Sequence, residues 1–462
     1  MRRFDPAGFT RFDYASVDVQ AATGTISCAY RLTGPTATID FREQFVVGPV
    51  TAEVWDGPRG VALGRIVRLL WLAAGLSYFK TAAPATVAVP TALSAAEQAW
   101  LLALYREGLA EFAYENNMDL SARPTFDVPS RPAATPLSGL GLPRRSLVPV
   151  GGGKDSCVTI DVLQAAGDHL VLFNVGGHQA ARDVAAACGL PLLVAHRTLD
   201  PQLRELNRRG ALNGHVPVTA IVSLVAVAQA LVIGADQVIF SNERSANVGS
   251  FTHNGLPVNH QYSKSVAAER SLRAALGEVT DELAYFSLLR PLSELQVAEL
   301  FARLEHFLPA FTSCNAAFRL DVRRRTSRWC GDCPKCRFVF LALAPFLPRE
   351  RLVEIFGLDL LADPTQLDGY RELLGLRGQK PFECVGDIQE SQVALQLVVS
   401  GGRWQASSLL ARLHHEMQAS GREPSDTTTR EVFTPSDQHF LPAGAAQALH
   451  AAMKRSQLSG AV

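Results

Sequence analysis

The chain has 462 residues, of which 47% are hydrophobic and 19% charged. That is the composition of an ordinary globular protein and too long a chain for one comfortable core, so two or three domains are expected. Lysine plus arginine equals aspartate plus glutamate at 44 each, which argues against a nucleic-acid or anionic-membrane partner, since either needs a strong positive field.

Met1-Arg2-Arg3 opens the chain, but acidic and polar residues follow where an export signal would need an apolar segment, so a cytoplasmic protein is expected. Residues 1 to about 60 alternate apolar and polar side chains and read as strand-rich. Helical patterns follow at Ile66–Lys80 and Ala95–Asn116, and the proline-rich stretch Arg123–Pro143 is the clearest boundary. From Ser146 to about Leu304 short β-type runs (147–150, 170–175, 191–195, 237–241 and 284–289) alternate with helical ones, the pattern of a parallel sheet covered by helices. Val216–Ala235 is long enough to span a bilayer. Its Pro217, Thr219, Ser223 and Gln229, and the strand-like run after Gly234, suit a helix packed on a sheet better. Beyond Phe338 the pattern is mainly helical. The expected fold is α/β: an α+β N-terminal domain (1–140), a parallel-sheet domain (141–345) and a helical C-terminal region (346–462).

Leu147-Val148-Pro149-Val150 runs into Gly151-Gly152-Gly153-Lys154-Asp155-Ser156, and helical character resumes at Cys157. Strand, glycine loop and helix N-terminus together make a phosphate site, because backbone N–H groups and the helix dipole converge there. An unremarkable glycine turn has the same residues. A Walker A loop is excluded by Val148 and Asp155 at its required positions, and a dinucleotide fingerprint by Ser156 where glycine belongs. The hexapeptide resembles the SGGxDS-type loop of the PP-loop ATP pyrophosphatases, with Gly151 replacing the first serine. The resemblance implies that ATP binds at Gly151, Gly152, Gly153, Lys154, Asp155 and Ser156 and is split between its α and β phosphates. Asp155 would then hold Mg²⁺, and Lys154 and Ser156 would touch phosphate oxygens. Glu243, just past the strand at 237–241, is the expected second magnesium carboxylate, or else a glutamate that caps a loop.

Cys330, Cys333 and Cys336 stand at C-x2-C-x2-C spacing with Cys314 sixteen positions upstream, four of the eight cysteines in the chain. Four thiolates make a closed tetrahedral Zn²⁺ site that stabilises without catalysing, and a ferredoxin-type cluster would want a cysteine where Phe340 stands. Metal-ligand spacing suits a reducing compartment. The adjoining run Arg323–Arg328 reads as a solvated basic loop.

A PP-loop with a four-cysteine knuckle also occurs in 7-cyano-7-deazaguanine synthase, so these two features do not choose a reaction. GLSYFK (75–80), EFAY (111–114), NGHVPVTA (213–220), SNERSA (241–246), VNHQYSK (258–264), LLRPLSEL (288–295), CPKCRFVFLALAPF (333–346) and KPFECVG (380–386) do. In this order they closely resemble the MurL family of UDP-N-acetyl-α-D-muramoyl-L-alanyl-L-glutamate epimerases. The resemblance covers about residues 70 to 390 and implies a UDP-MurNAc-dipeptide substrate whose terminal glutamate is adenylated before its Cα proton moves. For the proton carriers the sequence offers Cys384 with its neighbour Glu383, and His215 and His260 with Lys264, which read as bases or as phosphate ligands; each also fits an ordinary buried or loop residue. Arg244 and Arg290 read as forks for a substrate carboxylate or as surface ion pairs. A PP-loop ligase that attaches nitrogen to a carboxylate, and a tRNA-modifying or nucleotide-binding protein, are the rival readings.

Overall fold

The computed structural model describes residues 3–121, 123–318, 326, 328–404 and 407–459. Arg323, Arg324, Arg325 and Ser327 of the basic run lie outside the described residues.

Among the described residues twelve strands run in chain order: β1 Arg11–Gln20, β2 Thr25–Thr33, β3 Thr38–Val46, β4 Thr86–Ala88, β5 Thr125–Asp127, β6 Ser146–Pro149, β7 Leu170–Val175, β8 Leu192–Thr198, β9 Gln237–Phe240, β10 Phe251–His253, β11 Leu256–Val258 and β12 Ala284–Ser287. Ten of them form one sheet in the order β12-β9-β6-β7-β8-β3-β2-β1-β4-β5. The five strands from β12 to β8 pair in parallel, as the alternating pattern after Ser146 implies. The join was not visible in the pattern. β3 of the N-terminal meander pairs antiparallel with β8, Gln44 opposite Thr198 and Val46 opposite His196, so one sheet continues across the stretch that reads as a boundary.

Strand alternation sorts the core. Leu147, Phe173, Val238 and Tyr285 point to one face and Val148, Leu172, Ile239 and Phe286 to the other, since successive side chains of a strand face opposite ways. Against the first face lie the helices Pro58–Ala74 and Val218–Ile233, which pack on each other and on the meander. Against the second lie Lys154–Ala165, Glu294–Phe301 and the C-terminal helices.

Val218–Ile233 is thus a core helix, stopped by Gly234 in the left-handed conformation (φ 72°). The run long and apolar enough to cross a bilayer among the described residues is instead Pro58–Phe79, and it is mostly buried within the protein. That helix starts eight residues before the periodicity suggests, because Pro58 sits in its first turn, where its fixed φ favours helix and its missing N–H costs nothing. β4, β5 and the β10–β11 hairpin have three residues each, too few for a period to register in the sequence.

Candidate active site

The glycine loop sits between β6 and the helix Lys154–Ala165, at the carboxyl edge of the parallel strands. Gly152 adopts φ 96°, and a Cβ there would fall 2.4 Å from the Cβ of Ala180, so only glycine lets the loop pass. Its carbonyl is held by the Thr312 N–H at 2.8 Å. Gly153 is the N-cap without a side-chain bond, which leaves N–H groups of the first helical turn available to an anion. In front of the loop opens a cavity of about 410 Å³. Gly151, Gly153, Asp155 and Ser156 line it on one side and Lys264 and Lys335 on another.

Lys154 does not line that cavity, contrary to its expected contact with phosphate. Its ammonium is buried, pairs with Asp155 at 2.5 Å and is bound by the Glu294 carboxylate from the next helix. Burying an amine is tolerable only with such partners, and the effect is to fix Asp155, whose side chain remains 37% exposed toward the cavity. Glu243 caps a loop, one of the two readings its position allows. One oxygen accepts the Ala246 N–H at 3.1 Å and caps the turn Arg244–Asn247, yet the side chain is buried close enough to Asp155 that burial and that like charge raise its pKa. Two neighbouring carboxylates, one of them open to the cavity, fit a divalent cation on a polyphosphate.

Arg244 and Arg290 are not substrate forks. Arg244 donates to the carbonyls of Glu431, Val432 and Thr434. Arg290 is fully buried, pairs with Glu269 at 3.0 Å and donates to the backbone carbonyls of Glu243 and Lys264. It therefore ties together the two segments that bring those residues to the site.

The four cysteines converge. Their sulfurs lie within 4.8 Å of one another, with separations of 3.9 Å for Cys314–Cys333, 3.7 Å for Cys330–Cys336 and 3.5 Å for Cys333–Cys336. A zinc ion at its usual sulfur distance would need tetrahedral edges of about 3.8 Å. The Cys330 N–H donates to the Cys314 sulfur at 3.3 Å, the support that a thiolate wants. The donor set and spacing fit structural zinc. The turn that carries Cys333 and Cys336 also presents Lys335 to the cavity, a residue that reading the motif as purely structural passes over.

Cys384 comes from the C-terminal region but reaches the same place. Tyr114 packs edge-on against Phe251 at 4.7 Å and Phe382 at 5.9 Å, and the Gln261 amide donates to the Val385 carbonyl at 3.2 Å. These contacts anchor the segment 380–386. Burial would raise the Cys384 thiol, but Lys264, Lys335 and His260 around it pull it well below the usual thiol range. His260 is the converse: burial opposes its charge, yet Cys384 and Glu111 push it up to about 9, with the Glu111 carboxylate 2.7 Å from its Nδ1. The ring of His215 lies 4.4 Å from that of His260 and is pushed down to about 3, first by burial and then by the charges of His260, Lys264 and Lys80. Lys80 donates to the Asn213 side chain at 2.5 Å and the Gly214 carbonyl at 3.1 Å, and burial lowers it to about 8. Glu111, His215 and His260 also stand close enough to share a metal ion. Of the expected carriers, Cys384, Lys264 and His215 thus gather in one cluster with His260, and Glu383 is half-buried beside Cys384. Glu111 was missed, although EFAY had been marked, because a buried acid declares itself only by its partner.

Two family models match the chain, the MurL N-terminal domain over residues 3–288 and the MurL C-terminal domain over residues 310–428. Among curated proteins, the UDP-N-acetyl-alpha-D-muramoyl-L-alanyl-L-glutamate epimerase of a Micromonospora species is 46% identical over 454 residues, 97% of this chain and 98% of the relative. The protein of the same name from Salinispora tropica is 45% identical over 97% of this chain and 96% of its own length. That from Xanthomonas oryzae pv. oryzae is 41% identical over 96% and 97%.

Proposed function

The chain belongs to the MurL epimerase family, and from that premise we propose that it inverts the terminal L-glutamate of UDP-MurNAc-L-Ala-L-Glu in the cytoplasmic synthesis of peptidoglycan precursors. ATP is consumed to AMP and diphosphate. The observation that supports the chemistry is that Lys264 lines the loop's cavity and is also among the cations around Cys384, so the proposed phosphate site and the proposed proton carrier would adjoin.

The need for ATP follows from charge. Removing the Cα proton beside an ionised carboxylate would put a second negative charge on that group, an intermediate too high in energy for neutral water. As an acyl adenylate the carboxylate has lost its first charge, and its carbonyl delocalises the carbanion. In this reading Gly151, Gly153 and Ser156 hold the phosphates, while Lys154 acts from behind by fixing Asp155. Mg²⁺ held by Asp155 and Glu243 would supply neutralising charge. The Cys384 thiolate takes the α proton: the C–H bond breaks, an S–H bond forms and the electron pair enters the anhydride carbonyl. A second carrier, for which His215 and Lys264 are the candidates, delivers a proton to the opposite face, and water releases AMP.

Incubation in D₂O tests the reading. Deuterium should appear at the α-carbon of the terminal glutamate only with ATP and magnesium, accompanied by AMP and diphosphate, and Cys384→Ala should form AMP at first turnover without exchange. An L-configured, unlabelled product would reject epimerisation, and amide formed with added ammonia would indicate a ligase instead.

A further inference from the structure

Three stretches distant in sequence meet around one sulfur. Glu111 belongs to the short helix Ala110–Glu115, His260 to the segment after β11, and Cys384 to the C-terminal region. Glu111 is 6% exposed, and its oxygen lies 2.7 Å from His260 Nδ1. The Gln261 amide donates to the Val385 carbonyl at 3.2 Å, which sets the segment of His260 against that of Cys384, and the thiol is among the groups that raise the imidazole. We propose that Glu111, His260 and Cys384 form a carboxylate–imidazolium–thiolate triad, in which Glu111 is a positioning residue that holds His260 protonated and so keeps Cys384 a thiolate. The proposal deepens the reading of Cys384 as proton carrier and rests on it.

The chemistry requires such support. A free thiol titrates near 8.5 and is mostly protonated in a neutral cell, and burial makes ionisation harder still. A buried thiolate persists only beside a cation that does not give up its proton to the sulfur. Histidine alone is a poor one, since its ordinary pKa lies below that of the thiol. A carboxylate on Nδ1 corrects this by favouring the imidazolium and fixing the ring. Around the triad, Lys264 and Lys335 face the sulfur, and Lys80, Glu115 and the neutral His215 flank the histidine side. Both lysines add positive potential, Lys264 foremost with the buried Glu243 carboxylate near it, and His260 adds to theirs a cation that Glu111 fixes by a direct contact. The ring of His215 lies tilted against that of His260, with centroids 4.4 Å apart.

A metal ion shared by Glu111, His215 and His260 is the competing use of the same atoms. It would require a lone pair on one ring nitrogen of His260, whereas the imidazolium of the triad carries a proton on both. The two arrangements exclude each other.

The test is the pH dependence of Cys384 alkylation by iodoacetamide in the full-length, zinc-loaded protein without substrate, read peptide by peptide by mass spectrometry. In the wild type the midpoint should lie at least about one unit below the ordinary thiol value. Glu111→Gln and His260→Gln should each raise it by about one unit or more. Glu111→Gln should lower kcat by about 10²-fold with KM little changed, and Glu111→Asp should recover part of both effects. A wild-type midpoint at or above that of a free thiol overturns the triad whether or not any variant folds. So does an unchanged midpoint in both folded variants, or a second metal equivalent per chain that His215→Gln removes. The midpoint is read without substrate, so a low value alongside no α-exchange would sink the epimerase reading and leave the triad standing.

Discussion

Histidines 215 and 260 have the same chemistry and touching rings, yet their surroundings drive them in opposite directions. His260 has Glu111 and Cys384 to stabilise its charge, whereas His215 has only burial and the positive charges of His260, Lys264 and Lys80, so it stays neutral down to about pH 3. The consequence for stability has a definite sign. A histidine whose folded pKa lies below the ordinary 6.5 binds its proton more readily in the unfolded chain, so its contribution is intact above about pH 6.5 and is lost as the pH falls from there toward 3. His215→Gln should therefore flatten the fall of the urea midpoint between about pH 7 and pH 4. An equally steep fall in the variant would show that His215 already takes up its proton in the native state. The sequence offered both histidines as bases; nothing in NGHVPVTA or VNHQYSK says which one carries charge, because the deciding groups lie elsewhere in the chain.

The element that links structure to chemistry most directly is the helix Pro334–Leu343. Proline in its first turn and two cysteines of the cluster at its mouth fix its start, its interior residues Phe338 to Leu343 are buried, and Lys335 projects from its first turn to the cavity. Spacing alone made the knuckle a stabiliser. Its position makes it a holder of Lys335 as well, so the consequence of losing metal is twofold. Cys333→Ser should lose bound zinc and several degrees of Tm. Its surviving folded fraction should also make AMP more slowly, since Lys335 would no longer be fixed. Full AMP formation by a zinc-free folded variant would confine the knuckle to stability, and iron in the purified protein would reject the zinc assignment.

At the scale of the molecule, the ten-stranded sheet is the constraint. β8 would be left as an unpaired edge without β3, and the helix Val218–Ile233 would lose Pro58–Ala74, against which its apolar side is packed. An exposed edge beside a stripped apolar face favours aggregation. A fragment of residues 141–462, cut at the proline-rich stretch, is thus expected to aggregate or to unfold without cooperativity, although it keeps the glycine loop and all four cysteines of the cluster. A monomeric fragment with a sharp thermal transition would mean that the two parts share a sheet without depending on it. The same interdependence supplies the site: Glu111 comes from before the stretch, the loop, His260 and Lys264 from after it, and Cys384 from the helical region.

What the sequence determined by itself is local. Period-two and period-3.6 patterns, glycine punctuation and cysteine spacing depend on near neighbours, so the five parallel strands, the glycine loop between strand and helix, the core character of Val218–Ile233 and the cysteine cluster could be read within a few residues. Tertiary structure decided whatever depends on burial and on partners far along the chain: that β3 extends the parallel sheet, that Lys154 faces Glu294 instead of the cavity, that Arg244 and Arg290 are internal ties, and that Glu111 holds His260. A side chain's ionisation is set by the field of its neighbours within several ångströms, and in a folded chain those neighbours are hundreds of residues away in sequence as readily as three.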